Sequence, residues 1–434
     1  MRFNRLTIKN YKSLRDVTIR PREQLSVFVG PNAAGKTNLS EALDFLGEVY
    51  RYGIEVAIAR KGGYENIAFR RARRAKGAIS FSLEMEVPFR SSHRKAPVMT
   101  ENRTLNIEHI FEFRAKSEKI DAPFSITQEV VRIRGPKSMP LHPDALQKED
   151  ARPLLYQITR RGESYEVEIT KSRGNRALLI EAMRVPLFYF QQKFQRERTV
   201  PSTQLIFSSL SPLFFLRRLL DFGEIKLFQL NPRACRESGV PSPNPELSRF
   251  GGNLPAVVSY LAREHRGILE EIVPVLAQIY PGLDKVSIDY THTKTLALFL
   301  REKGFRRPWS SEDVSDGTIQ SLAILAALFD PRHAFVVIEE LENSLHPWGI
   351  RTLVEAVRNA SKKRQVVLTT HSPIIVDSVT PEEVSVVSRD ALGHTQVTPL
   401  LTLSPNVLKN WSDGKYLLSD HLDKGQVPAW VPPA

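Results

Sequence analysis

Two short segments far apart in the chain carry residue types suited to phosphate and metal chemistry. Gly30, Pro31, Asn32, Ala33, Ala34, Gly35, Lys36 and Thr37, followed by Asn38, match the pattern GxxxxGK[ST] in full. The glycines let the backbone curl so that successive N–H groups face an anion, and a following helix adds its N-terminal dipole. In such a loop Lys36 reaches the β- and γ-phosphates of a nucleotide and the Thr37 hydroxyl ligates Mg²⁺. The second segment, Phe335–Glu340, is an apolar run ending in two carboxylates. Glu339 stands where a carboxylate holds Mg²⁺, and Glu340 where a general base or water-orienting group acts. The two segments read as halves of one ATP–Mg²⁺ site that folding must reunite.

The flanking patterns supply the elements such a site needs. Gln24–Val29 reads as a strand running into the glycine loop, and residues 5–10 alternate as another. After Thr37, Leu39, Ala42, Leu43 and Leu46 recur at helical spacing. Strand, loop and helix are thus in the required order. Beyond residue 315 the pattern runs helix, apolar strand (334–338), helix (350–360), strand (366–370), which predicts a buried parallel sheet. Between these halves, Ile79–Val87, Leu105–Phe113, Phe124–Arg134 and Tyr165–Ile169 alternate apolar with polar, as half-buried antiparallel strands do. Residues 203–220 and 254–280 turn helical, and Pro- and Lys-rich stretches at 90–100 and 136–153 read as loops.

At 434 residues, two or more lobes are expected. The charged fraction of 25% and hydrophobic fraction of 41% are those of a soluble globular protein. No apolar run is long enough to span a membrane, and the N-terminus lacks a signal-peptide pattern, so a cytoplasmic protein is expected. A single cysteine, Cys235, excludes an internal disulfide. The net charge of +13 makes DNA or RNA a candidate partner. Arg70, Arg71, Arg73, Arg74 and Lys76 form the densest basic run, and Arg306 with Arg307 a smaller one.

Three further motifs define a subclass. Ser315, Asp316, Gly317 and Thr318 open an apolar helix, Glu342–Pro347 follows the paired carboxylates, and Val366–Pro373 places His371 at a strand end. Taken in order, these motifs resemble ABC-type ATPase heads of the SMC/RecF branch, in particular AAA-family ATPases similar to RecF and to the ATPase half of OLD proteins. The resemblance covers about residues 1–90 and 225–400, and includes Leu6–Leu14 and the Gln229–Leu254 region.

The resemblance implies an α/β fold: a head with a mixed sheet core, an antiparallel β lobe and a helical subdomain. The expected divisions are 1–90, the N-terminal part of the ATPase lobe; 91–222, a β-rich insertion with the helical subdomain; and 223–434, the C-terminal part of the ATPase. It implies ATP hydrolysis needing Glu340 and His371. Ser315, Asp316, Gly317 and Thr318 would face the nucleotide of a second ATPase subunit in a head-to-tail dimer or higher oligomer. It also implies DNA-associated switching with a separate effector in anti-phage defence. Alternatives are a RecF-type repair ATPase, a slow nucleotide-gated scaffold and, less well matched, a transporter subunit. The pattern departs from the family in Glu339 where Asp is usual, in Asp316 for the first signature glycine and in Leu341 where Pro is common. Gln128, Gln191 and Gln229 remain alternatives for the glutamine that reaches the metal. Asp390 and Asp413 do not form an acidic cluster suited to two metals, so the nuclease domain of OLD proteins is not expected.

Overall fold

A computed structural model describes residues 2–69, 77–88, 104–116, 123–135, 154–169, 200–209, 224–414 and 417–423. Arg70, Arg71, Arg73, Arg74, Lys76, Gln191 and the 90–100 and 136–153 stretches lie outside these, as does the second half of 203–220. The chain divides into two compact units, Met1–Pro21 with Phe45–Gly223 and Arg22–Asp44 with Glu224–Ala434.

The first unit holds a seven-stranded sheet: β1 (Arg2–Tyr11), β2 (Leu14–Ile19), β4 (Ile79–Pro88), β5 (Thr104–Ala115), β6 (Phe124–Arg134), β7 (Leu154–Arg161) and β8 (Ser164–Ile169). The spatial order is β2-β1-β4-β5-β6-β7-β8. Every pairing is antiparallel. The predicted alternation is realised most regularly in β5, where buried and half-buried residues follow one another along most of its length. Its inward rings stack in rows, with Phe81–Phe111 centroids 5.4 Å apart and Phe45–Phe113 at 6.0 Å.

The second unit holds β3 (Leu25–Val29), β9 (Glu224–Phe228), β13 (His333–Glu339), β14 (Gln365–Thr370), β15 (Val384–Arg389) and β16 (Thr395–Pro399) in one sheet. Its order is β16-β15-β3-β14-β13-β9. The five strands from β15 to β9 are parallel and β16 is an antiparallel edge. β14 and most of β13 are buried continuously, as strands covered on both faces must be. The Asp316–Phe329 helix is buried nearly all round and packs in the same core as β3, β13 and β14. The run read as helical over 254–280 is two helices, Leu254–Glu264 and Arg266–Ile279, broken where His265 takes φ −138°. A separate three-stranded sheet comprises β10 (Leu283–Tyr290), β11 (Leu296–Glu302) and β12 (Trp309–Ser310). No described helix is long and apolar enough to cross a membrane.

Candidate nucleotide site

Parallel pairing solves the problem posed by the split motifs. β3, β14, β13 and β9 lie side by side, so their carboxyl ends fall along one edge of the sheet. From those ends emerge the Gly30 loop, His371, the Glu339–Glu340 pair and Gln229 in turn. The carboxyl edge of a parallel sheet is where α/β folds bind ligands.

The loop between β3 and the Lys36–Tyr52 helix is tightly wound. Ala33 takes φ 63° and Gly35 φ 110°, both in the left-handed region, and Ala34 N–H donates to the Pro31 carbonyl at 3.2 Å. The loop is also walled in. A Cβ on Gly30 would sit 2.2 Å from the Val387 carbonyl oxygen, and one on Gly35 2.1 Å from Thr395 Oγ1. The Thr395 hydroxyl itself donates to the Ala34 carbonyl at 3.1 Å, so the β15–β16 hairpin braces the loop from behind. Lys36 is buried, its ammonium donating to the carbonyls of Gly30 at 2.6 Å and Pro31 at 3.0 Å. Burial lowers its pKa, opposed by the charges of Glu340, Glu342 and Glu339. Thr37 is exposed at the first turn of the helix and Asn38 half-buried.

Across the sheet, Glu339 is 4% exposed, and neither carboxylate oxygen meets a hydrogen-bond donor. Its nearest cation is Arg249, with Nη2 at 3.6 Å, while Nη1 of the same side chain lies 3.6 Å from Glu41. Burial pushes the Glu339 carboxyl up; the Ser40 hydroxyl, which itself donates to the Lys36 carbonyl at 3.3 Å, and Arg249 oppose this, and Glu41 and Glu340 add to it. Glu340 takes φ 49°, a left-handed conformation costing a non-glycine residue about 1–2 kcal/mol. The turn is fixed by Glu340 N–H donating to Thr369 O at 3.0 Å and by Asn343 Nδ2 donating to Glu340 Oε2 at 2.9 Å. Strain of this kind at the end of a core strand turns the Glu340 carboxylate away from the course β13 would have given it.

His371 is exposed, with Nδ1 3.6 Å from Glu342. Glu342 Oε1 accepts from the Thr370 hydroxyl at 2.6 Å and from His371 N–H at 3.2 Å, so it pins the turn that presents the imidazole. Of the three glutamine alternatives, Gln229 stands at the end of β9 and accepts from Arg249 Nη2 at 3.3 Å, whereas Gln128 lies within β6 of the antiparallel sheet.

Ser315 caps the Asp316–Phe329 helix, its hydroxyl accepting from Thr318 N–H at 3.2 Å and sharing a 2.8 Å bond with the Thr318 hydroxyl. Gly317 is required by packing, because a Cβ there would meet the Ser344 carbonyl oxygen at 2.8 Å. Asp316, the departure from the usual glycine, has a partner: Arg236 at 2.7 Å, which also donates to the Ser311 and Val314 carbonyls. Arg236, Arg249 and Thr395 were not singled out from the sequence, and Glu342 only as the start of the Glu342–Pro347 motif, without a role. Only the Gln229–Leu254 resemblance pointed near Arg236 and Arg249.

The residues present fit a nucleotide with a hard divalent cation. A buried carboxylate without hydrogen-bond partners, an exposed threonine hydroxyl and a glutamine amide, each on an element that ends at or starts from this edge, are hard oxygen donors of the type Mg²⁺ takes. The family described as "AAA domain, putative AbiEii toxin, Type IV TA system" matches residues 25–377, and the chain belongs to it. Two curated relatives are similar over shorter stretches. The "DNA replication and repair protein RecF" of Corynebacterium jeikeium (strain K411) is 29% identical over 96 residues, 22% of each chain. The "Retron Vc95 probable ATPase" of Vibrio cholerae serotype O1 biovar El Tor is 30% identical over 77 residues, 17% of this chain and 15% of that protein. The chain therefore spans well under two-thirds of either relative. Among solved structures, an Smc head derived from Pyrococcus furiosus is 13% identical, covering 96% of this chain and all of that one at a TM-score of 0.47. An SmcHead bound to the C-winged helix domain of ScpA is 12% identical, covering 92% and 97%, with a TM-score of 0.48. The family match and the RecF similarity bear out the resemblance to ABC-type ATPases of the RecF branch.

Proposed function

We propose that this chain binds ATP with Mg²⁺ at the carboxyl edge of the parallel sheet and hydrolyses it. The observation that carries the reading is the parallel pairing of β3, β14 and β13, which brings the complete phosphate loop ending in Lys36, the His371 turn and the Glu339–Glu340 pair to one edge of the sheet. Lys36 exchanges the Gly30 and Pro31 carbonyls for phosphate oxygens, and Thr37, Glu339 and Gln229 would hold the metal. Mg²⁺, when bound, neutralises charge on the phosphate oxygens. Glu340 accepts the proton of a water whose oxygen forms the new bond to the γ-phosphorus as the bond to the ADP oxygen breaks. His371, held by Glu342, steadies the γ-phosphate. Ser315, Asp316, Gly317 and Thr318 serve the nucleotide of a second copy, so that ATP joins two heads and hydrolysis parts them. The similarity to RecF supports a DNA-associated switch, and the similarity to a retron ATPase supports a role in defence beside a separate effector.

Glu340→Gln tests this reading: nucleotide binding should persist, ATP turnover should collapse, and the ATP-bound dimer should outlive that of wild type. Equal turnover and equal dimer lifetime would remove Glu340 from the chemistry. A second reading, a slow nucleotide-gated scaffold, is favoured by the extra methylene of Glu339 and by the Arg249 guanidinium 3.6 Å from it.

A further inference from the structure

We propose that the loop joining β11 to β12, residues 303–308 together with Trp309, is a binding surface for single-stranded nucleic acid. It gives a surface to the nucleic-acid side of the reading above and in that respect rests on it. The loop is anchored at its start: Lys303 N–H donates to the Gly282 carbonyl at 2.8 Å and Phe305 N–H to Glu302 at 3.2 Å, with Gly304 at φ 83° making the turn. At its far end Trp309 pairs with Leu300 in the sheet. The backbone is thus held while the side chains stand out. Phe305 is 56% exposed and Trp309 42%, their ring centroids 6.4 Å apart and tilted by 52°.

Lys303, Arg306 and Arg307 are exposed and enter no ion pair among the described residues. Arg301, just before them, is different, because it is committed to Asp284 at 2.6 Å across the sheet. A solitary exposed ring needs no explanation, but two neighbouring rings among unneutralised cations match a specific ligand chemistry. Guanidinium groups pair with phosphate oxygens, and aromatic faces accept bases that a single strand leaves unstacked. A duplex keeps its bases stacked and offers the rings nothing. An anionic bilayer is a poorer match, since exposed Glu312 and Asp313 lie two and three residues beyond β12 and would be repelled by anionic headgroups.

The test is fluorescence anisotropy of a labelled oligo(dT) with the full chain, without nucleotide, over a range of salt. Phe305→Ala/Trp309→Ala should weaken binding about tenfold or more while leaving the salt slope unchanged. Trp309→Phe, which keeps a stacking face, should restore most of the loss from Trp309→Ala. Arg306→Ala/Arg307→Ala should flatten the salt slope by about 0.7 for each phosphate no longer neutralised. Wild-type melting temperatures in these variants exclude misfolding as the cause. Unchanged oligo(dT) affinity in both double variants overturns the proposal, as does binding to phosphatidylserine vesicles but not to oligo(dT). ATP turnover measured in parallel separates the two readings. Loss of oligo(dT) binding with turnover intact concerns this loop alone, and a wild-type chain without turnover concerns only the hydrolytic reading.

Discussion

Glu129 and Glu339 are buried carboxylates in different units, and they are held in opposite ways. Glu129, in β6 of the antiparallel sheet, accepts from Ile206 N–H at 2.7 Å, Phe207 N–H at 3.0 Å and His109 Nε2 at 3.2 Å, with Arg160 Nε at 3.5 Å. His109 Nε2–H as donor leaves Nδ1 to accept from the Tyr50 hydroxyl at 2.8 Å. Burial, with Glu129 adding, raises the Tyr50 pKa well above its ordinary value and keeps that hydroxyl a donor. Glu339, in β13 of the parallel sheet, accepts no hydrogen bond, since the neighbouring Ser40 hydroxyl donates to the Lys36 carbonyl instead, and it has one guanidinium at 3.6 Å. A buried charge surrounded by donors is finished structure. One without them is an unsatisfied group, which the reading proposed above assigns to a ligand.

Four measurements sharpen or break this contrast. The largest effect belongs to the parallel sheet: Glu340→Gln should lower ATP turnover by about 10²–10⁴-fold while nucleotide binding stays near wild type. Next comes the pair of carboxylates themselves. Glu129→Ala should cost about 3–5 kcal/mol in urea denaturation, because Arg160 is left uncompensated in the interior. Glu339→Gln should leave the apo midpoint unchanged or raised, yet abolish the additional thermal stabilisation that Mg²⁺ gives to ATP-bound protein. Equal destabilisation by the two substitutions would break the distinction. Thr395→Val removes the brace on Ala34 and should weaken ATP binding severalfold, the worth of about one hydrogen bond, with stability little changed.

The smallest effect is on pH. Burial holds the His333 imidazole below its ordinary pKa, against the opposing charge of Asp330. The unfolded chain therefore takes up the proton more readily. The corresponding stability is complete above the unfolded value near 6.5 and declines as pH falls below it. Urea midpoints between about pH 7 and 5 should drop less for His333→Gln than for wild type.

Much of this was legible in the residues because it is local. Period-two alternation announced β4, β5, β6 and β8, and the phosphate loop announced its own strand and helix. β7, whose sequence Leu154–Arg161 does not alternate cleanly, and the polar β16 gave no such signal. The β10–β11 hairpin and the break at His265 were also missed, since neither carries a turn signature strong enough to stand apart from its neighbours. Arg249 and Thr395 are the instructive omissions. An arginine near a glycine pair and a threonine in a polar strand say nothing alone, and their roles come from Glu339 and Ala34, which are distant in the chain.

The sequence by itself determined the chemistry on offer: a loop able to cradle phosphates, two carboxylates at the end of an apolar strand and a serine-capped helix. Those depend on backbone freedom, periodicity and capping within a few residues. The tertiary structure decided that β3, β14, β13 and β9 are neighbours, that Glu339 is buried without hydrogen-bond donors and that a hairpin near residue 395 closes the back of the phosphate loop. Strand order and burial arise from pairing between segments remote in the chain, and no local pattern of residue types encodes which partners meet.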